Sequence, residues 1–68
     1  MTPLESRQIL GLSQSQMARM MGGTSPMTIS KWETGQRNPQ DQAVELMRLL
    51  VWMHENHPRI YEKWTSEI

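Results

Sequence analysis

Residues 12–39 read LSQSQMARMMGGTSPMTISKWETGQRNP, a pattern of two short helices joined by a tight turn and followed by a polar loop. Ser13 opens the first helix. Its hydroxyl can accept from an orphan backbone N–H, and Gln16 can reach back to complete a capping box. Met17, Ala18 and Met21 then recur at helical spacing on one face, and Gly22-Gly23 stop the helix. Ser25 caps the next helix and Pro26 occupies its first turn, where a missing N–H leaves no intrahelical bond unmade. Ile29 and Trp32, three residues apart, face inward, leaving Met27, Thr28, Ser30 and Lys31 on other faces. Ala18 presents a small side chain where the two helices cross. A short helix pinned across another, with polar residues outward, is the geometry that enters a DNA major groove.

The pattern LSQ-x3-A-x3-G…IS-x-WE-x-G-x-x-x-P resembles the helix-turn-helix of the lambda-repressor/Cro (XRE) family, and the resemblance covers residues 4 to about 50. It implies an all-α, five-helix domain with the helix-turn-helix at helices 2 and 3. One departure is the turn Gly22-Gly23-Thr24, one residue longer than in the commonest members and also seen in some antitoxin-type repressors. Its consequence falls on the docking angle rather than on the fold.

The rest of the chain fits around this unit as a single domain of 68 residues, near the lower end of what folds without staples. Thr2-Pro3-Leu4-Glu5 reads as a helix start, with a capping threonine, proline at the first position and an acid three residues after the cap. That first helix runs to about Leu10 and stops at Gly11, which is short for the family, and Pro3 and Ser6 stand where relatives usually place larger apolar residues. The expected second and third helices span about Ser13 to Met21 and Pro26 to Thr34. A fourth starts between Pro39 and Asp41 and carries Ala43, Val44, Leu46, Met47, Leu50, Val51 and Trp52 to about His54. Pro58 opens a last short helix with Ile60, Tyr61 and Trp64. Residues 1–38 thus form the DNA-binding half and 39–68 the C-terminal helices.

The last two helices are more apolar than one small core requires. Trp52, Met53, Ile60, Tyr61 and Trp64 are large side chains of the kind enriched at interface centres, so they are expected to form a homodimer interface. The plainer alternative is that they close the bottom of a core that has no phenylalanine.

Within the reading helix, Lys31 points away from the core and suits guanine O6 and N7. Met27 and Thr28 lie in the first turn, the part that meets base edges; their methyl groups suit thymine, and the Thr28 hydroxyl suits base, phosphate or its own helix. Ser25, Ser30, Thr34, Gln36, Arg37 and Asn38 are expected at the DNA backbone, although Arg37 can also serve only as a solubilising charge. Gln14 opens helix 2, where the resembling family places an amide that clamps a phosphate beside the helix N-terminus. The same resemblance pairs Arg7, four residues before Gly11, with Glu33, which follows Trp32, and gives the pair a structural role.

Charge limits the partners. Formal net charge is zero, short of the strongly basic balance of many nucleic-acid binders. The distribution is uneven. Residues 1–40 carry Arg7, Arg19, Lys31 and Arg37 against Glu5 and Glu33, whereas residues 41–68 carry Arg48, Arg59 and Lys63 against Asp41, Glu45, Glu55, Glu62 and Glu67. A basic front and acidic back orient the molecule on phosphate, with neutral donors supplying many contacts.

Other chemistries have little to stand on. Cysteine is absent, which excludes disulfides and thiolate metal sites. His54 and His57 alone make a poor metal site, and no cofactor is expected. No glycine-rich phosphate loop or nucleophile–base arrangement points to an enzyme. No segment is long enough to span a bilayer and no signal peptide is read at the start, so the expected location is the cytoplasm, on the nucleoid.

The expected function is a homodimeric repressor on an inverted-repeat operator of double-stranded DNA, with its own operon as the expected target, in a phage, anti-defence or toxin–antitoxin setting. With no ligand domain read in the sequence, constitutive autoregulation is expected. The alternative from another class is a protein-interaction module that engages a toxin or polymerase subunit through the apolar C-terminal helices.

Overall fold

A computed structural model describes residues 1–67, which form α1 (Pro3–Leu10), α2 (Gln14–Met20), α3 (Pro26–Thr34), α4 (Asp41–Asn56) and α5 (Pro58–Thr65). No strand occurs among the described residues. Three helices begin on side-chain caps. Thr2 and Ser13 each accept from the backbone N–H three residues on, while Glu5 and Gln16 accept from the cap backbone N–H, so both capping boxes are closed. Ser25 accepts from the Thr28 N–H with Pro26 at the first helical position.

The turn after α2 depends on its glycines. Gly22 and Gly23 both take positive φ, 83° and 88°, a region that strains any residue with a β-carbon. Their N–H groups return to the Arg19 and Ala18 carbonyls, which satisfies the α2 C-terminus and swings the chain toward Ser25.

α1 packs on α4 and α3, α2 on α3, and α4 on α5. The core gathers Leu10, Met17, Ala18, Met20, Met21, Ile29, Met47, Leu50, Val51 and Tyr61, with Leu12, Trp32, Ala43, Leu46 and Met53 packed against it. Met17, Ala18 and Met21 lie in this core as their spacing implies, and Met20 joins them. Ser6 is among the most buried residues. Its hydroxyl donates to the Pro3 carbonyl at 2.7 Å and lies 3.5 Å from Met47 Sδ, so the flexible thioether packs against this small side chain.

α4 continues to Asn56, two residues beyond the expected end, and the Asn56 amide donates to the Trp52 carbonyl at 2.9 Å. His57 then closes α4 and precedes Pro58 at the start of α5. No helix among the described residues is long and apolar enough to cross a membrane.

Candidate nucleic-acid interface

α3 is pinned by its inner face and open on the other. Ile29 is buried and Trp32 half-buried, whereas Met27, in the first turn, is 68% exposed. Thr28, Ser30 and Lys31 are intermediate, and Gln36, Arg37 and Asn38 in the following loop are exposed. Ser25, Thr28, Arg37 and Asn38 line one open groove between α3, the loop and the start of α4, with Trp32 also in its wall. Met27, Ser30, Lys31, Thr34 and Gln36 lie outside that groove, on other parts of α3 and the loop.

Three hydroxyls are already engaged. Thr34 Oγ1 donates back to the Ser30 carbonyl at 3.1 Å and approaches the Lys31 carbonyl at 3.4 Å. Its single proton therefore serves the helix, and a phosphate, which only accepts, needs that hydroxyl to rotate away first. At the other end of α3, Ser25 Oγ and Thr28 Oγ1 are 3.0 Å apart and bonded to each other.

Arg7 and Glu33 meet beside this face. Arg7 Nε donates to Glu33 Oε2 at 2.6 Å and Nη2 to Oε1 at 3.0 Å, while Nη1 donates to the Leu12 carbonyl at 3.1 Å. Gln14 completes the cluster: its amide donates to Glu33 Oε1 at 3.0 Å. The residue expected to clamp phosphate is thus tied to a carboxylate, because α2 starts close enough to α3 for the amide to reach it. One amide proton remains for a phosphate. Arg7 in first place, and Gln14 with it, holds the Glu33 carboxyl below its ordinary pKa against the opposing effect of burial, and Glu33 raises the Arg7 guanidinium in return. With these two charges cancelling, residues 1–40 retain Arg19, Lys31 and Arg37 against Glu5. None of those three cations is in an ion pair among the described residues.

The C-terminal helices divide the residues expected at a dimer interface. Trp52, Ile60 and Trp64 are exposed. Tyr61 is instead 7% exposed within the protomer's own core, and Met53 packs against that core, because α5 folds back onto α4 with the Tyr61 ring edge-on to His54 at 5.0 Å. Sequence reading missed Leu49, which with Trp52, Glu45 and Arg48 lines an apolar groove on the outer face of α4. Its signal was present: Leu49 and Trp52 are three apart, on the helix face opposite Met47, Leu50 and Val51. No group of three or more potential metal ligands occurs among the described residues.

The helix-turn-helix family profile matches residues 5–47, from α1 into the middle of α4. No curated protein and no solved structure matches the chain. A match over most of the chain, on an all-helical structure whose third helix stands capped and open beside a polar loop, places this chain in the lambda-repressor/Cro-like (XRE) helix-turn-helix family of DNA-binding transcription regulators.

Proposed function

We propose that the chain is a transcriptional repressor that binds an inverted-repeat operator as a homodimer and occludes a promoter, its own operon being the first candidate. The observation that carries this reading is the outward side of α3, where Met27, Thr28 and Lys31 stand clear of the core. In this reading Met27, Thr28 and Lys31 meet base edges, and Ser25, Ser30, Gln36, Arg37 and Asn38 meet the backbone, together with Gln14 through its remaining amide proton and Thr34 once its hydroxyl rotates. Exposed Trp52, Ile60 and Trp64 support a pairing surface, and pairing two half-sites compensates for the small number of cations on each protomer. A gel shift on the DNA upstream of the chain's own gene tests it: a discrete complex that resists non-specific competitor supports the reading, and its absence overturns the autoregulatory part.

A second reading has one observation in its favour. The apolar groove of Leu49 and Trp52 on α4 suits a protein partner such as a toxin or a polymerase subunit. Substitution of Leu49 that leaves DNA binding intact but abolishes capture of a co-encoded protein supports it.

A further inference from the structure

The N-terminus of α3 carries a hydroxyl pair with few alternatives once DNA is bound. Ser25 Oγ accepts from the Thr28 backbone N–H at 3.2 Å and lies 3.0 Å from Thr28 Oγ1, where either hydroxyl can donate to the other. Each hydroxyl has one proton and two lone pairs. A phosphate oxygen accepts and does not donate, so a phosphate at Ser25 takes the Ser25 proton. Thr28 then donates its own proton to Ser25 Oγ. Ser25 is saturated, with two bonds accepted and one donated, and Thr28 Oγ1 has only lone pairs left to offer.

We propose that Ser25 sets the polarity of base recognition by Thr28: in the docked domain Thr28 accepts, and so selects a base presenting an exocyclic amine in the major groove, adenine N6 or cytosine N4. Guanine O6 and N7 and thymine O4 are acceptors and have no proton to give it. Ser25, which touches no base, becomes a determinant of specificity through its neighbour. The inference rests on the docking of α3 proposed above. Ser25 and Thr28 share one groove with Arg37 and Asn38, which sets Ser25 beside two residues proposed to hold the strand. Thr34 behaves differently: its hydroxyl is directed to carbonyls of its own helix, whereas the Thr28 hydroxyl is shared with a residue outside it.

The test starts from duplexes selected by the full chain out of a random library, with base analogues placed at each half-site position. Thr28→Val, which keeps the shape and removes the hydroxyl, locates the position that Thr28 reads. There the parent is expected to carry adenine or cytosine and to lose about fivefold in affinity when purine or 2-pyrimidinone removes the amine, as for one neutral hydrogen bond. Replacing adenine by 7-deazaadenine, which removes an acceptor, should leave binding unchanged. Ser25→Gly keeps most of the helix cap. It should bring guanine and thymine at that position to within about twofold of the selected base, with preferences elsewhere unaltered. Sensitivity of the parent to removal of the acceptor rather than the amine overturns the proposal, as does full discrimination retained by Ser25→Gly or a Thr28→Val profile identical to the parent's. A parent that selects no sequence at all removes the docking reading, and the proposal with it.

Discussion

Glu33 is held from two directions, by the Arg7 guanidinium of α1 through two hydrogen bonds and by the Gln14 amide at the start of α2. Glu33 is 26 residues from Arg7 and 19 from Gln14, and their meeting fixes α1, α2 and α3 relative to one another. The carboxylate side chain is only 7% exposed and that of Arg7 21%. A glutamate on the helix that approaches phosphate would repel it; paired with Arg7, it presents almost no net charge.

Loss of the guanidinium should therefore act on stability first. Arg7→Ala strands a carboxylate at a nearly enclosed position and is expected to cost about 2–3 kcal/mol, below the ~3–5 kcal/mol of a fully enclosed pair because Arg7 keeps some contact with water. In a domain of this size that is a fall in Tm of roughly 10 °C or more. Circular dichroism melting checks it, and an unchanged Tm with abolished DNA binding would instead make Arg7 a phosphate contact.

The same pair has a pH signature. The Glu33 carboxyl is lowered from its ordinary 4.5 in the folded chain, by Arg7 first, so the unfolded chain binds the proton more tightly. Its stabilisation is complete above pH 4.5 and disappears as pH falls through the lower folded value. Parent Tm should thus drop more steeply than that of Arg7→Ala on acidification below pH 4.5. Glu5, also lowered through its bonds to Thr2, titrates in both proteins and cancels from the comparison. Parallel pH profiles would sink this account.

Tyr61 offers the opposite kind of test. Its hydroxyl is buried with no hydrogen-bond partner, and burial raises its pKa above the ordinary value. An orphaned buried hydroxyl is unfavourable relative to water. Tyr61→Phe, which keeps the ring against His54, is expected to raise stability by about 1 kcal/mol. A lower Tm would mean that the hydroxyl is bonded in solution.

The elements set by local chemistry were legible along the chain. Thr2, Ser13 and Ser25 announce helix starts because a cap needs only its own residue and one three positions on, and the bounds of α3 follow from Ser25-Pro26 and Gly35. The Arg7–Glu33 pairing came from family resemblance, since no local rule joins residues that far apart. What stayed hidden depends on three dimensions. Gln14 reads as a free phosphate clamp until α3 brings Glu33 to one of its two amide protons, and Tyr61 reads as an interface residue until α5 folds back on α4. Thr34 shows the remaining gap, because rotamer choice decides whether a hydroxyl faces its own helix or a ligand.

Pairing of two chains is expected to rest on exposed side chains and to spare the core. Light scattering of the parent should report twice the chain mass at micromolar concentration. The double variant Ile60→Asp, Trp64→Ser should be monomeric with its helical content retained, since both residues lie on the open side of α5. Its operator affinity should fall steeply while binding to a single half-site persists. A parent that is monomeric both alone and on DNA would rule out the two-fold operator.

Lys31 and Arg37 separate reading from holding. Lys31 sits in the last turn of α3 and Arg37 in the exposed loop beyond it. If Lys31 donates to a base, Lys31→Ala should cost about 1–3 kcal/mol on the best operator and relax preference at one base pair per half-site. Arg37→Ala should weaken every sequence about equally. It should also make the slope of log affinity against log salt shallower by ~0.9 for each phosphate that is no longer neutralised, hence about twice that in a dimer. The two outcomes differ because a phosphate contact carries no direct base information, whereas a base contact has no counterion to release. Lys31 is itself a cation, so part of the salt dependence can change with it, and the specificity profile is the deciding measurement. If Lys31→Ala binds every operator variant in the parent's rank order, Lys31 holds the backbone, and reading passes to Met27, Thr28 and the shape of the DNA.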